Sequence, residues 1–90
     1  MGSAWINKYK IHFVYILYSQ NFKRYYIGMS TDVLRRVDSH NFGKVKSTKA
    51  FIPWKLIHLK EFKTRIEART REKYLKSAAG RRWRKNNLGL

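Results

Sequence analysis

From Phe13 to Tyr18 the chain carries an unbroken run of aromatic and aliphatic side chains, within the stretch His12 to Ser19. Phe13, Tyr15 and Leu17 alternate with Val14, Ile16 and Tyr18, so a strand here is apolar on both faces. Such a strand belongs in the middle of a sheet that is covered above and below. A mostly polar connection, residues 20–23, interrupts the run and residues 24–29 resume it, which predicts a hairpin whose second strand closes at Gly28. The period then changes. Val33 and Val37 fall on one side of a helix running to about Asn41 or Gly43. Ser30 or Thr31 caps it, and Asp32 sits in its first turn, where the helix dipole favours an acid. Residues 43–52, GKVKSTKAFI, read as a basic, flexible loop. Pro53 and Trp54 open a third strand over 54–62, since proline is tolerated at a strand's first position. Thr64 and Glu67 have the spacing of a capping box and start a second helix. That helix is expected to run to Ala79, with Gly80 as its C-terminal stop. The order ββαβα predicts an α+β domain, a small three-stranded antiparallel sheet flanked by helices.

Composition narrows the class. Ninety residues make one domain, and 43% hydrophobic with 16% aromatic residues suffice for a modest core. The absence of cysteine removes disulfides and thiolate metal sites, and fits a reducing compartment such as the cytoplasm. No apolar run approaches the roughly 20 residues of a membrane span, and no secretory signal pattern is visible. Residues 1–3 read as a tag remnant within an N-terminal extension over 1–11. The domain itself is expected over 12–80, and 81–90 as a basic tail or short helix. Lys and Arg number 21 against 5 Asp and Glu, a formal net charge of +16. A chain so charged repels itself when compact, and its natural partner is a polyanion. Nucleic acid is the leading partner and an anionic membrane surface the second.

Against that background a few polar residues stand where packing favours apolar ones. Ala68, Leu75 and Ala79 form a stripe on the second helix, with Glu72 at its flank. An acid there is costly to bury unless a cation or metal meets it, and Arg71 or Lys76 are the local partners. Arg36 and His40 share a helix face beside Val33 and Val37, with Arg35 turned outward. Tyr15 and Tyr26, on neighbouring strands, present hydroxyls at one end of the sheet, and a buried tyrosine hydroxyl wants a partner. Each has an ordinary packing or solvation role when taken singly. Together, two phenols, an arginine, a histidine and a glutamate are the side-chain types that phosphodiester hydrolysis requires. It needs a base for water, a cation for the phosphorane and a carboxylate for a divalent ion. A phenol with its ordinary pKa near 10 is a poor base unaided.

These residues resemble the signature of the GIY-YIG nuclease superfamily. Tyr26-Ile27-Gly28 matches the second of its two short motifs, and Tyr15, in Phe13-Val14-Tyr15, stands for the tyrosine of the first. The family arginine follows the motif glycine by eight residues, at Arg36, and a His or Tyr often follows four later, at His40. REKYLKS resembles the setting of the metal-binding glutamate and supplies Glu72. The resemblance extends over roughly 12–80. It is nearest to small stand-alone bacterial members, similar to the N-terminal nuclease domain of the repair protein UvrC and to homing endonucleases. It implies a DNA endonuclease with one Mg²⁺ or Mn²⁺ ion on Glu72, and Tyr15, Tyr26, Arg36 and His40 as its other catalytic residues.

The first motif departs from Gly-Ile-Tyr but keeps its tyrosine. Asn86 or Asn87 stands where some members have an asparagine. Lys44, Lys46, Ser47, Thr48 and Lys49 are the expected DNA-backbone contacts, which position a duplex without reading sequence. A lone active site nicks once per binding event, so a double-strand break would imply a dimer. Two other readings compete. One is a non-catalytic basic module that grips nucleic acid on a nuclease fold. The other is an RNA-binding or ribosome-associated protein that stacks bases on Trp54 and Trp83.

Overall fold

A computed structural model describes residues 10–89, so most of the expected N-terminal extension lies outside the described residues. Its strands are β1 (His12–Ser19), β2 (Arg24–Ser30) and β3 (Lys55–Phe62). Its helices are α1 (Val33–Asn41), α2 (Arg65–Lys76) and α3 (Ala78–Leu88), with a short 3-10 turn at Lys49–Phe51. The sheet is antiparallel in the order β2-β1-β3. The doubly apolar strand is therefore the central one, and Val14, Tyr15, Ile16 and Leu17 are buried along it.

Side-chain alternation along β1 deals these residues to two cores. Val14 and Ile16 pack with Ile27, Ala68 and Leu75 beneath α2, bordered by Trp83 and Leu88 of α3. Tyr15 and Leu17 pack on the opposite face with Val33, Val37 and Trp54. The register sets Tyr15 opposite Gly28 and Leu17 opposite Tyr26. Directly paired residues share a face, so Tyr15, Gly28 and Tyr26 all belong to the α1 side.

The helix ends differ from expectation in ways that side-chain chemistry explains. Asp32, not Ser30 or Thr31, is the N-cap of α1: its carboxylate accepts from the Arg35 amide at 3.3 Å. Ser30 instead accepts from the Asp32 amide at 2.9 Å. The capping box of α2 forms with both arms, Thr64 accepting from the Glu67 amide and Glu67 from the Thr64 amide. But α2 stops at Lys76, and Ala79 and Gly80 lie in α3. Ser77 makes the break, with an extended backbone. Its hydroxyl donates to the Tyr74 carbonyl at 2.6 Å and accepts from the Gly80 amide at 3.2 Å, closing one helix and capping the next. Gly80 is buried against the end of α2, where a Cβ would collide with the carbonyls of Tyr74 and Leu75. The left-handed glycine stop comes one helix later, at Gly89 with φ +69°. The expected tail is thus helical as far as Leu88, and among the described residues no helix is long and apolar enough to cross a membrane.

The loop between α1 and β3 is pinned rather than loose. Asn41 clamps the backbone of Trp54, accepting from its amide at 2.6 Å and donating to its carbonyl at 3.0 Å. The Trp54 indole donates to the Thr48 carbonyl at 2.9 Å, and the Ser19 hydroxyl donates to the Phe51 carbonyl at 2.7 Å. Asn41→Ala removes both clamp bonds and strands a part-buried amide. It should cost about 2 kcal/mol and lower the melting temperature by roughly 10 °C, as differential scanning fluorimetry would show.

Candidate active site

The site is built around the missing side chain of Gly28. A Cβ at this position would lie 2.6 Å from the Tyr15 hydroxyl, 2.7 Å from Tyr15 Cζ and 3.0 Å from Tyr26 Cε2. The Tyr15 phenol therefore lies across the glycine, in space that any other residue would fill. From there its hydroxyl reaches His40 Nε2 at 3.2 Å. His40 Nδ1 in turn lies 2.8 Å from Thr48 Oγ1, which donates to the Val45 carbonyl at 3.3 Å. Hydrogen counting allows this chain two directions. With the Thr48 proton on the Val45 carbonyl, Thr48 accepts from Nδ1–H and Nε2 keeps a lone pair for the Tyr15 hydroxyl; with that proton on Nδ1, Nε2–H donates to Tyr15 instead.

The titration behaviour agrees. His40 is fully buried, and burial first, then the nearby Arg36 charge, lowers its pKa from the usual 6.5 and keeps the ring neutral. The Tyr15 phenol is pushed up to about 12, mainly by burial and then by Tyr26. Arg36 opposes this with a hydrogen bond to the phenol and with its charge, and the Glu72 carboxylate adds a last upward push. The half-buried His58 is shifted down as well, by burial first and then by Arg71 and Lys60, and its Nε2 has no hydrogen-bond partner among the described residues. For both histidines the unfolded chain takes up protons at a higher pH than the fold does. Stability is therefore greatest above pH 6.5 and declines as pH falls through the lowered values. The melting temperature should drop between pH 7 and pH 5, and the drop should shrink in a His58→Phe variant.

The remaining members come from three elements. Tyr26, half-buried on β2, stacks at 4.6 Å between ring centroids on His40 and lies 6.2 Å from Tyr15. Arg36 is exposed on α1, one turn before His40. Glu72 is held at 8% exposure on α2. Its carboxylate pairs with Lys76 Nζ at 3.3 Å and Arg69 at 3.9 Å. Lys76 was one of the two partners expected for it. The other, Arg71, instead lies over the rings of Tyr74 and Trp83. Tyr15, Tyr26 and His40 are thus in contact, and Arg36 and Glu72 are near enough to act on Tyr15 electrostatically.

Other expectations are corrected. Lys44, Lys46, Ser47 and Lys49 are exposed, but Thr48 is 2% exposed and turned inward onto His40. Its hydroxyl is engaged inside the protein, with His40 and the Val45 carbonyl, and is not turned to solvent as the expected phosphate contact would be. The basic loop gives no sign of this, because one threonine among lysines has no periodicity to mark it as buried. Trp54 is buried with its indole donor already used, so it offers no base-stacking surface. Trp83 is half-buried against His58. Asn86 and Asn87 are exposed on α3, where Asn87 donates to the Trp83 carbonyl.

Comparison with known proteins converges on one family. The family model described as the GIY-YIG catalytic domain matches residues 11–87. A UPF0213 protein of Listeria monocytogenes is 48% identical over 58 residues, which is 63% of this chain and 63% of that protein's own length. A UPF0213 protein of Haloquadratum walsbyi is 42% identical over 67 residues, 73% of this chain and 74% of the other. Among solved structures, the solution NMR structure of a UPF0213 protein from Bacillus halodurans matches with a TM-score of 0.50 at 33% identity. It covers 81% of this chain and 80% of that one. None of these relatives' names states a reaction.

Proposed function

Because the chain belongs to the GIY-YIG catalytic domain family, we propose that it is a divalent-metal-dependent endonuclease hydrolysing DNA phosphodiester bonds. The observation that carries this reading is the hydrogen-bonded chain from Tyr15 through His40 to Thr48, taken in the tautomer that leaves Nε2 free to accept. It solves the difficulty of using a phenol as a base. A phenol held near pKa 12 is almost never ionised at neutral pH. But one whose proton can pass to a neutral, oriented imidazole need not ionise beforehand. As water attacks phosphorus, its proton moves to the Tyr15 oxygen and the Tyr15 proton moves to His40 Nε2. The new P–O bond forms as the bond to the leaving oxygen breaks, and that oxygen takes its proton from solvent. Thr48 keeps His40 in the tautomer this transfer requires.

Arg36 is exposed and near enough for its charge to act on the Tyr15 phenol. A phosphate bound there would meet this guanidinium, which sets a cation against the charge that builds on the phosphorane. Tyr26, half-buried above His40, lends a second hydroxyl to the phosphate.

A Mg²⁺ or Mn²⁺ ion fits the donor chemistry at Glu72. This mostly buried carboxylate already faces cations on both oxygens, the Lys76 ammonium on one and the Arg69 guanidinium on the other. Mg²⁺ commonly keeps several waters, so one side-chain ligand is enough. Among the described residues no three His, Cys, Asp or Glu side chains gather as a cage. Bound there, the ion supplies Lewis-acid stabilisation of charge on the phosphoryl oxygens. Arg36→Ala tests the chain's own part. Single-turnover cleavage should fall by about 10²-fold to 10³-fold, while affinity for DNA in chelator changes by less than about tenfold. Cleavage at the wild-type rate would remove Arg36 from the chemistry.

A further inference from the structure

A second cationic feature adjoins the site and shares Tyr26 with it, while its arginines have no part in the chemistry above. Tyr25, Tyr26, Ile27, Lys76, Arg81 and Arg84 line a cleft of about 280 Å³ between the outer edge of β2 and α3. It begins at Tyr26 and continues past Ile27, the residue before Gly28. β2 is an edge strand, so this side of the sheet is uncovered.

The charges in the cleft are unbalanced. None of its lining residues is acidic. Lys76 is shared with Glu72, outside the lining. Arg84 is half-buried and fixed: its guanidinium lies 4.7 Å over the Tyr25 ring and donates to the Leu75 carbonyl at 3.0 Å. These partners are neutral and leave its charge uncompensated. Arg81 is exposed, forms no ion pair among the described residues, and sits close enough for its charge to act on Arg84. Two arginines at one wall with no acid between them repel each other unless an anion intervenes. Arg84 is immobilised by packing, so the arrangement is kept in spite of that repulsion.

We propose that this cleft binds a backbone phosphate of the nucleic-acid strand beside the one being cut. Arg81 and Arg84 are its cations, and the strand runs along the edge of β2 toward Tyr26. The identity of the polyanion rests on the nuclease reading; the anion site itself rests on the cleft. The phosphate would lie between Arg81 and Arg84 and remove their repulsion. Tyr25, stacked under Arg84, would flank the same nucleotide.

The test is fluorescence anisotropy of a labelled DNA oligonucleotide in chelator, so that no cleavage intervenes, at a series of salt concentrations. Arg81→Gln is compared with Lys60→Gln, an exposed lysine on β3 at the opposite sheet edge. Both side chains are exposed, so folding should survive. Arg81→Gln should weaken binding about fivefold to tenfold at low salt and flatten the log–log salt slope by roughly one phosphate contact. Lys60→Gln should stay within about twofold of wild type. Equal losses in the two variants, or none at Arg81, would overturn the cleft and leave the nuclease reading intact. A selective loss at Arg81 in a protein that cuts no DNA would keep the cleft and remove the nuclease reading.

Discussion

Glu72→Gln is expected to abolish DNA cleavage, cutting the single-turnover rate by about 10³-fold or more, while leaving DNA binding in chelator intact or slightly tighter. Glutamine keeps the shape of the side chain and can still accept a hydrogen bond from Lys76. It lacks the negative charge that would hold a divalent ion. Losing a Lewis acid at a phosphoryl group removes several kcal/mol of transition-state stabilisation, and about 4 kcal/mol corresponds to that factor of 10³. The fold should tolerate the change, because Lys76 and Arg69 are both largely exposed and regain water when their partner becomes neutral. Glu72 itself is nearly buried, and a neutral amide there avoids the cost of burying a charge, which offsets the lost pairing. The combination of lost cleavage, kept binding and a near-normal melting temperature separates this role from a structural one.

The second large effect is expected at Gly28. Gly28→Ala places a methyl group 2.6 Å from the Tyr15 oxygen and 3.0 Å from a Tyr26 ring carbon. Tyr15 is 1% exposed and packed with Leu17, Val33 and Trp54, so it cannot swing aside cheaply. Overpacking of this kind costs about 1–3 kcal/mol, or a melting temperature lower by roughly 10 °C in a domain of this size. Displacing the phenol also breaks its alignment with His40, and misplacement by about 1 Å can cost on the order of 10²-fold in rate. Stability and activity separate in a double variant. Tyr15→Leu together with Gly28→Ala should recover part of the lost stability, because leucine vacates the space over residue 28. It should recover none of the activity, because the hydroxyl is gone. If the two substitutions prove additive in a double-mutant cycle, the proposed contact between these residues is not what Gly28 serves.

Much of this arrangement can be read from the chain. The two-faced apolar run of β1 places it at the centre of the sheet, and its alternation assigns Tyr15 to the face that α1 covers. The Tyr-Ile-Gly run within β2, which continues past the expected stop at Gly28 to Ser30, and the four-residue spacing of Arg36 and His40 bring the polar members to that face. Glu72 shows itself as an acid on the flank of an apolar stripe. Other features depend on contacts distant in sequence. The burial of Thr48 follows from His40 and Trp54 reaching into its loop, and residue order within the loop carries no trace of it. Gly80 reads as a helix stop because glycine commonly is one, yet here it serves close packing of α3 on α2. The break comes three residues earlier, at a serine whose hydroxyl can serve both helix ends. The pairing of Tyr15 with Gly28 is a matter of strand register, which a hairpin with a four-residue polar connection leaves open until the strands are seen together.

The most direct test of the account is cleavage of a labelled plasmid and a branched DNA by the wild-type chain beside Glu72→Gln, each with Mg²⁺, with Mn²⁺ and with chelator, and with binding followed in parallel. The wild type should cut at least one of these substrates with metal and none in chelator. Glu72→Gln should bind both and cut neither. Cleavage that persists in chelator, or that survives at the wild-type rate in Glu72→Gln, would contradict the role given to this carboxylate. A wild type that binds both DNAs with steep salt dependence and leaves them intact with either metal would contradict the nuclease reading itself, in favour of a basic binding module on the same fold.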